Sequence, residues 1–207
     1  MDWRTLFTLQ HHQVHSGALS GSSADFHIPD MVVSGMSEEQ LRLSPRDDQN
    51  SVAWLLWHMA RCEDVVGGAI FSSDGQLLDD GWDVKMGVAR RDIGTGMTPT
   101  EVRELSQQID IDALHEYRLN VGRRTTDLLA QLDDDSLGRP ITPDSVDTLR
   151  ALETFGAHAG WVGDYWKTRT TAWFLWLPTG HCYQHLGEAV TVRTMINPGH
   201  SSRLGAE

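Results

Sequence analysis

The chain has 207 residues and a formal net charge of -12 at pH 7, and 40% of its residues are hydrophobic. This length fits one globular domain with an ordinary core that needs no cross-links. The acidic balance argues against nucleic acid as a partner, because phosphate binding relies on clustered Lys and Arg. No apolar run is long enough to predict a membrane span.

The cysteines and the first residues predict a cytoplasmic protein. Cys62 and Cys182 are the two cysteines, which are too few for a disulfide framework. The opening "MDWRTLFTLQHHQ" begins with an acidic residue and lacks the basic segment and cleavage site of a secretory signal. We therefore expect reduced thiols and a cytoplasmic location.

Helical periodicity runs through almost the whole chain, and no alternation typical of a β-strand persists. It predicts four principal helices, over about 2–18, from 50 or 51 to 71, over about 112–132, and a last one that carries "HCYQHLGEA" and ends at "INPGH". Long connections between four helices indicate an all-α four-helix bundle with crossovers and short connecting helices. We expect one domain over residues 1–200 and a loose tail over 201–207.

Capping patterns mark where several helices start. Ser37 precedes "EEQ" and Thr98 precedes "PTE", and both patterns are typical of capping boxes. Pro178 and Gly180 stand just before the last helix. The proline either starts that helix or kinks it, and the sequence leaves both alternatives open.

The second principal helix is predicted to lie inside the bundle. Its centre, "VAWLLWHMA", is apolar nearly all round. His58 stands in this stretch, and a buried imidazole is costly unless its nitrogens find partners. The ordinary interpretation of His58 alone is a hydrogen bond to a backbone carbonyl or a carboxylate. The tryptophans of "WLLW" and "WFLW" are interpreted as core residues.

Two pairs of histidines have helical i, i+4 spacing. With 10 His in the chain, chance alone yields about half of one such pair, so the spacing is weak evidence. His11 and His15 form one pair, which we interpret as a polar shoulder beside the apolar stripe of the first helix, with metal binding as the less favoured alternative. His181 and His185 form the other, on a helix apolar enough to belong to the core.

His58, His181 and His185 are the candidate metal ligands. The two histidines of the last helix lie one turn apart, so both imidazoles can approach one ion, and His58 is the best third ligand. Cys62, one turn beyond His58, is either a softer ligand or, more often for a buried cysteine, a small hydrophobic residue. Cys182 is predicted to point away from His181.

Glu188 follows His185 by three residues and shares its face of the helix. Three roles are open to this carboxylate: a fourth metal ligand, a partner that orients an imidazole, or a salt bridge with a base such as Arg193. We rank the orienting role first and the salt bridge second.

Two stretches carry a resemblance to a known family. The chain resembles the DinB superfamily, which includes YfiT-like metal-dependent hydrolases and the bacillithiol and mycothiol S-transferases. The similarity lies in "DDQNSVAWLLWHMARCEDV", in a following "GW", and in "WLPTGHCYQHLGEAVTVRTMI". Its most specific parts are the asparagine and serine at the start of the second helix, the "WHMAR.ED" pattern and the "HxxxHLGEA" pattern.

The resemblance implies a four-helix bundle, often dimeric, with a divalent ion at one end. Carried over residue by residue, the ligands are His58, His181 and His185, and the ion is zinc or nickel, with iron in related domains. The implied reaction is transfer of a low-molecular-weight thiol to an electrophile, or a related isomerisation or hydrolysis. Mycothiol-dependent isomerases have Glu where this chain has His181, which favours the three-histidine branch.

The sequence leaves two other functions open. One is a stress-response or binding bundle in which the ion is structural and no turnover occurs. The other is a metal-free helical dimer in which the histidines form a satisfied hydrogen-bonded cluster. We expect a homodimer in each case, with a small-molecule thiol and an electrophile as partners only if the protein is an enzyme.

Overall fold

The structure is a computed structural model that describes residues 2–22 and 25–198. It contains no β-strand in these ranges, which confirms the predicted all-α class. The α-helices, in chain order, are α1 (Trp3–Val14), α2 (Gly17–Ser20), α3 (Ile28–Val33), α4 (Glu38–Arg42), α5 (Val52–Val66), α6 (Trp82–Met86), α7 (Pro99–Gln108), α8 (Ile111–Gln131), α9 (Asp134–Leu137), α10 (Pro143–Ala151), α11 (Gly160–Trp166), α12 (Thr171–Phe174) and α13 (Cys182–Ile196). Leu77–Asp80 forms a 3-10 turn, and Gly67–Phe71 and Leu177–His181 form π-helical turns. The predicted loose tail over 201–207 lies outside the described residues.

Four of these helices form the bundle. The central helix α5 packs against α8 and α13, and α1 packs against α8 and α13 from the other side. Long connections lead from α5 to α8 and from α8 to α13, as the sequence predicts. Among the described residues, no helix combines the length and the apolar composition that crossing a bilayer demands.

Every residue of α5 is buried, which confirms that this helix lies inside the bundle. The helix begins where the side chain of Ser51 accepts a hydrogen bond from the backbone N–H of Trp54. It continues into the π-helical turn that ends at Phe71, as predicted. Gly68 is required in this turn, because a Cβ there would lie 2.1 Å from the carbonyl oxygen of Gly75.

The first helix is shorter than predicted. It ends at Val14 rather than Ala18, because His15 has an extended backbone. Its buried face consists of Phe7, His11 and Val14. The prediction that His11 and His15 form a polar shoulder is therefore wrong: they are 1% and 3% exposed.

The predicted start signals lie at helix starts in the structure. Ser37 and Thr98 each form a capping box at α4 and α7. Pro178 lies in the first turn of the π-helical segment that leads directly into α13, where a proline removes no helical hydrogen bond. It therefore starts the last helix rather than kinking it. The helix ends at Ile196, and Gly199 of the predicted stop signal lies outside the described residues.

The connection between α8 and α13 adds a second hydrophobic cluster to the bundle. It covers the carboxyl-terminal part of α5, and its members are Cys62, Val65, Val66, Ile93, Ile141, Val146, Leu149, Ala159, Val162, Trp166, Phe174 and Leu177. Since Cys62 lies one helical turn from His58, this cluster forms the surroundings of the candidate metal ligands.

A buried polar network anchors α5 to its neighbours. Arg61 binds the carboxylate of Asp64 at 3.0 Å and the hydroxyl of Tyr117 at 2.9 Å. Asp64 also accepts a hydrogen bond from the Tyr117 hydroxyl at 2.7 Å, and bonds from the backbone N–H groups of Leu77 and Leu78 at 2.8 and 3.0 Å. The side chains of Arg61 and Asp64 are both 0% exposed, so each charge depends on the other.

Asp64→Ala is expected to lower the free energy of unfolding by about 3–5 kcal/mol, because it leaves the Arg61 guanidinium buried without a carboxylate. Urea unfolding followed by circular dichroism measures the loss. Asp164→Ala is the control: this exposed carboxylate pairs with Arg150 at the surface, and its removal should cost less than about 1 kcal/mol. Equal losses in the two variants would contradict the anchoring role of the network.

Candidate metal centre

The structure brings the three predicted histidines together. His58 comes from the middle of α5, His181 from the end of the π-helical turn, and His185 from the first turn of α13. The Nε2 atom of His181 lies 3.2 Å from Nε2 of His58 and 3.1 Å from Nε2 of His185. The three nitrogens therefore surround one point at which a single ion can contact all of them.

The spacing of these nitrogens fits a metal ion. Two zinc–nitrogen bonds of about 2.0–2.1 Å that meet at an angle near 100° hold their nitrogens about 3.1–3.2 Å apart. The distances of 3.1 and 3.2 Å agree with this value. Three imidazoles occupy three coordination positions and leave at least one open, as in catalytic rather than structural zinc sites.

The second ring nitrogens of two ligands are already engaged. Nδ1 of His58 donates to the backbone carbonyl of Ile93, and Nδ1 of His185 donates to Glu188 at 3.2 Å. These partners place the protons on Nδ1, so both Nε2 atoms carry lone pairs. The Nε2 atom of His181 carries at most one proton, which it can donate to only one of the other two Nε2 atoms. Hydrogen bonds alone therefore leave one lone pair of the cluster without a donor. A cation at the centre satisfies all three nitrogens.

Two of the three imidazoles, those of His58 and His181, are in the form that binds metal. Burial, strengthened by the neighbouring His185, lowers the pKa of His58 to about 3. Burial and the proximity of His58 and His185 lower the pKa of His181 to about 2. Both rings are therefore neutral at pH 7, and a metal ion has no proton to displace from them.

Glu188 contacts the cluster as an orienting residue would. Its carboxylate accepts from His185 on one oxygen and, at 2.9 Å, from the side-chain amide of Asn50 on the other. Burial raises the pKa of Glu188, but these two hydrogen bonds, together with the electrostatic effect of His185 and His58, outweigh it and the net shift is downward. Sequence reasoning assigned no role to Asn50, although the asparagine before the second helix was among the patterns of the resemblance.

Two residues flank the ring of His58. Trp54 stacks on it with a centroid distance of 4.8 Å and an interplanar angle of 8°. The sulfur of Cys62 lies 3.9 Å from both nitrogens of the ring, and burial raises the pKa of this thiol to about 12. Cys62 is thus a protonated thiol beside the ring and lies outside the group of converging ligand atoms. Cys182 points away from the site, as predicted, and its thiol donates to the carbonyl of Leu177.

A cavity of about 610 Å³ opens beside His181. Its walls are mainly aromatic and apolar, and they comprise Cys62, Ile93, Thr95, Trp161, Val162, Tyr165, Trp166, Ala172, Trp173, Trp176, Leu177 and His181. The prediction that the "WFLW" tryptophans are core residues is wrong for Trp176, which is 38% exposed. Trp173 is partly buried against the second hydrophobic cluster, and both residues line this cavity. The "WLLW" tryptophans, Trp54 and Trp57, are core residues as predicted.

The family sequence model that describes the DinB superfamily matches residues 30–189. The chain belongs to the DinB superfamily. This confirms the resemblance inferred from the helix patterns. No curated protein matches the chain. Among solved structures, a conserved protein from Enterococcus faecalis superimposes with a TM-score of 0.70 at 20% sequence identity. The alignment covers 96% of this chain and 99% of that one, and it shows a shared fold.

Replacing Glu188 with Ala in this DinB-superfamily protein should weaken Zn²⁺ binding 10- to 100-fold, by analogy with other carboxylates that orient metal-bound histidines. The affinity is measured by competition with a chromogenic chelator. Glu39→Ala removes an exposed carboxylate far from the cluster along the chain and should leave the affinity unchanged. An unchanged affinity in Glu188→Ala would show that His185 needs no orienting partner.

Proposed function

We propose that this protein is a metal-dependent enzyme that activates a low-molecular-weight thiol, or water, for attack on an electrophile. The observation that carries the proposal is the meeting of three histidine Nε2 atoms beside a large aromatic cavity. His58, His181 and His185 are the proposed ligands. Zinc or nickel is the proposed ion and iron a further candidate, because three imidazoles suit several transition metals.

The ion would supply Lewis acidity at its open position, which lowers the pKa of a bound thiol or water. The chain holds its ligands rigidly for this purpose: Ile93 fixes the ring of His58, and Glu188 fixes the ring of His185. Rigid, correctly oriented ligands keep the open position directed the same way before and after substrate binds.

The cavity walls determine which side chains contact the electrophile. Aromatic walls next to His181 offer flat faces to an apolar substrate. No carboxylate or amine is among the described residues that line the cavity. In the proposed transfer, sulfur forms a bond to the electrophilic carbon, the leaving group departs with its electron pair, and the thiol proton passes to water.

A second candidate is a bundle that the ion stabilises without turnover. The same absence of a carboxylate or amine from the described cavity wall favours it, because it leaves the proposed ligand His181 with Cys62 and Tyr165 as the titratable side chains there. A tightly bound ion would then raise the melting temperature through mass action alone. Homodimer formation, proposed from the resemblance, and a cytoplasmic location, proposed from the cysteines and the first residues, are compatible with both candidates.

The enzyme hypothesis predicts metal-dependent conjugation of a thiol to an aromatic electrophile. Protein stripped with a chelator is reloaded with Zn²⁺ or Ni²⁺ and mixed with a panel of small thiols, including bacillithiol and mycothiol, and a chlorodinitrobenzene. Product formation should depend on the metal and fall at least about 100-fold in His181→Ala, as expected when an activating metal is lost.

His158→Ala is the matched control, because His158 is an exposed histidine outside the cluster and should retain full activity. If wild-type protein binds the metal and gains thermal stability but conjugates none of the thiols faster than free solution does, the non-catalytic candidate is favoured.

A further inference from the structure

A second cluster of metal-binding residue types lies between α1 and α5. Nε2 of His11 is 2.8 Å from one oxygen of Glu63, and Nε2 of His15 is 2.9 Å from the other. All three residues are buried, with 3% exposure or less. The three ligand atoms lie within reach of a single ion, like those of the three-histidine cluster.

The two clusters are separate although both use α5. Glu63 follows His58 by five residues, which places it about 140° round the helix and about 7.5 Å along its axis. His58 faces α13 and the π-helical turn, whereas Glu63 faces α1. No residue belongs to both clusters, and variants can therefore remove one without touching the other.

The carboxylate of Glu63 needs a positive charge. Burying an ionised carboxylate is costly unless a cation pairs with it. Arg118 is the buried guanidinium nearby, but its N–H groups donate to the carbonyls of Leu56 and Val14, both at 3.2 Å. The hydrogen-bond partners of Glu63 in the described structure are the two imidazoles. Arg118 also acts on Glu63 electrostatically, without a hydrogen bond to it. A proton on one imidazole or a metal ion between them would place a positive charge in direct contact with the carboxylate.

The donor set favours a transition metal. Two imidazole nitrogens and one carboxylate are the protein ligands of many catalytic zinc sites and of non-haem iron(II) sites. Calcium and magnesium prefer oxygen ligands and suit this set poorly.

The local packing leaves room for the ring of His15. Gly122 of α8 faces the ring of His15, and a Cβ at this position would lie 2.8 Å from its Cε1 atom. The glycine thus leaves the room that the ring occupies. A cavity of about 220 Å³ borders His15 beside Arg118 and Leu56.

We propose that His11, His15 and Glu63 form a second site for a divalent transition metal, Zn²⁺ or Fe²⁺ by donor type, that fastens α1 to α5. The role is structural although three protein ligands leave a position open, because the ligands join the end of α1 to α5 and are almost entirely enclosed. It is independent of the proposed thiol chemistry at the three-histidine cluster.

The test counts metal ions with Zn²⁺ alone as the probe. Stripped protein is loaded with Zn²⁺, desalted, and analysed by inductively coupled plasma mass spectrometry. Wild type should retain two ions per chain. The double variant His181→Ala/His185→Ala should retain one, and Glu63→Gln should also retain one. Combining all three substitutions should leave none.

Glu63→Gln is chosen because its amide can still hydrogen-bond to both imidazoles while losing the negative charge. Gly122→Ala is a second variant that leaves every ligand in place but pushes against the ring of His15, and it should reduce the count from two ions to one. Circular dichroism confirms that each variant is folded.

One ion in wild type and none in the His181→Ala/His185→Ala variant would overturn the proposal, and would mean that a proton rather than a metal balances Glu63. Two ions retained in both folded Glu63→Gln and folded Gly122→Ala would overturn it as well. Failure at the three-histidine cluster gives a different pattern, in which the single ion of wild type survives in His181→Ala/His185→Ala and disappears in Glu63→Gln.

Discussion

The burial of α5 on every side is the constraint on which the rest of the structure depends. A helix inside the bundle cannot send its polar side chains to water, so each must find a partner on another element. Arg61 and Asp64 contact Tyr117 of α8. Glu63 contacts His11 of α1 and His15 just after it, and His58 contacts His181 at the start of α13. The polar contacts of one helix therefore fix the positions of the other three.

This arrangement explains why the candidate metal centre lies at the junction of α5 and α13. The π-helical turn that contains Pro178 brings His181 to the start of the last helix, and the next turn adds His185 on the same side. Asn50, just before α5, reaches Glu188 on α13 and so ties the orienting carboxylate to the helix that carries His58. The connection between α8 and α13 then lines the cavity beside His181 with aromatic residues.

Much of this site follows from the sequence, for identifiable reasons. A histidine in the most apolar stretch of a helix predicts burial, and i, i+4 spacing predicts that two imidazoles share a face. Local spacing does not reveal which residue of another helix lies opposite, so the buried role of His11 and His15 depended on Glu63 and was missed. Trp173 and Trp176 were assigned to the core for a similar reason, because an apolar segment has the same composition whether it fills a core or lines a cavity.

Anomalous diffraction from crystals grown with Zn²⁺, recorded on both sides of the zinc absorption edge, tests the central claim most directly. The account predicts an anomalous peak about 2.0–2.2 Å from Nε2 of His58, His181 and His185, with an open coordination position directed toward the aromatic cavity. The absence of a peak there, with the three imidazoles turned toward other hydrogen-bond partners, would contradict it.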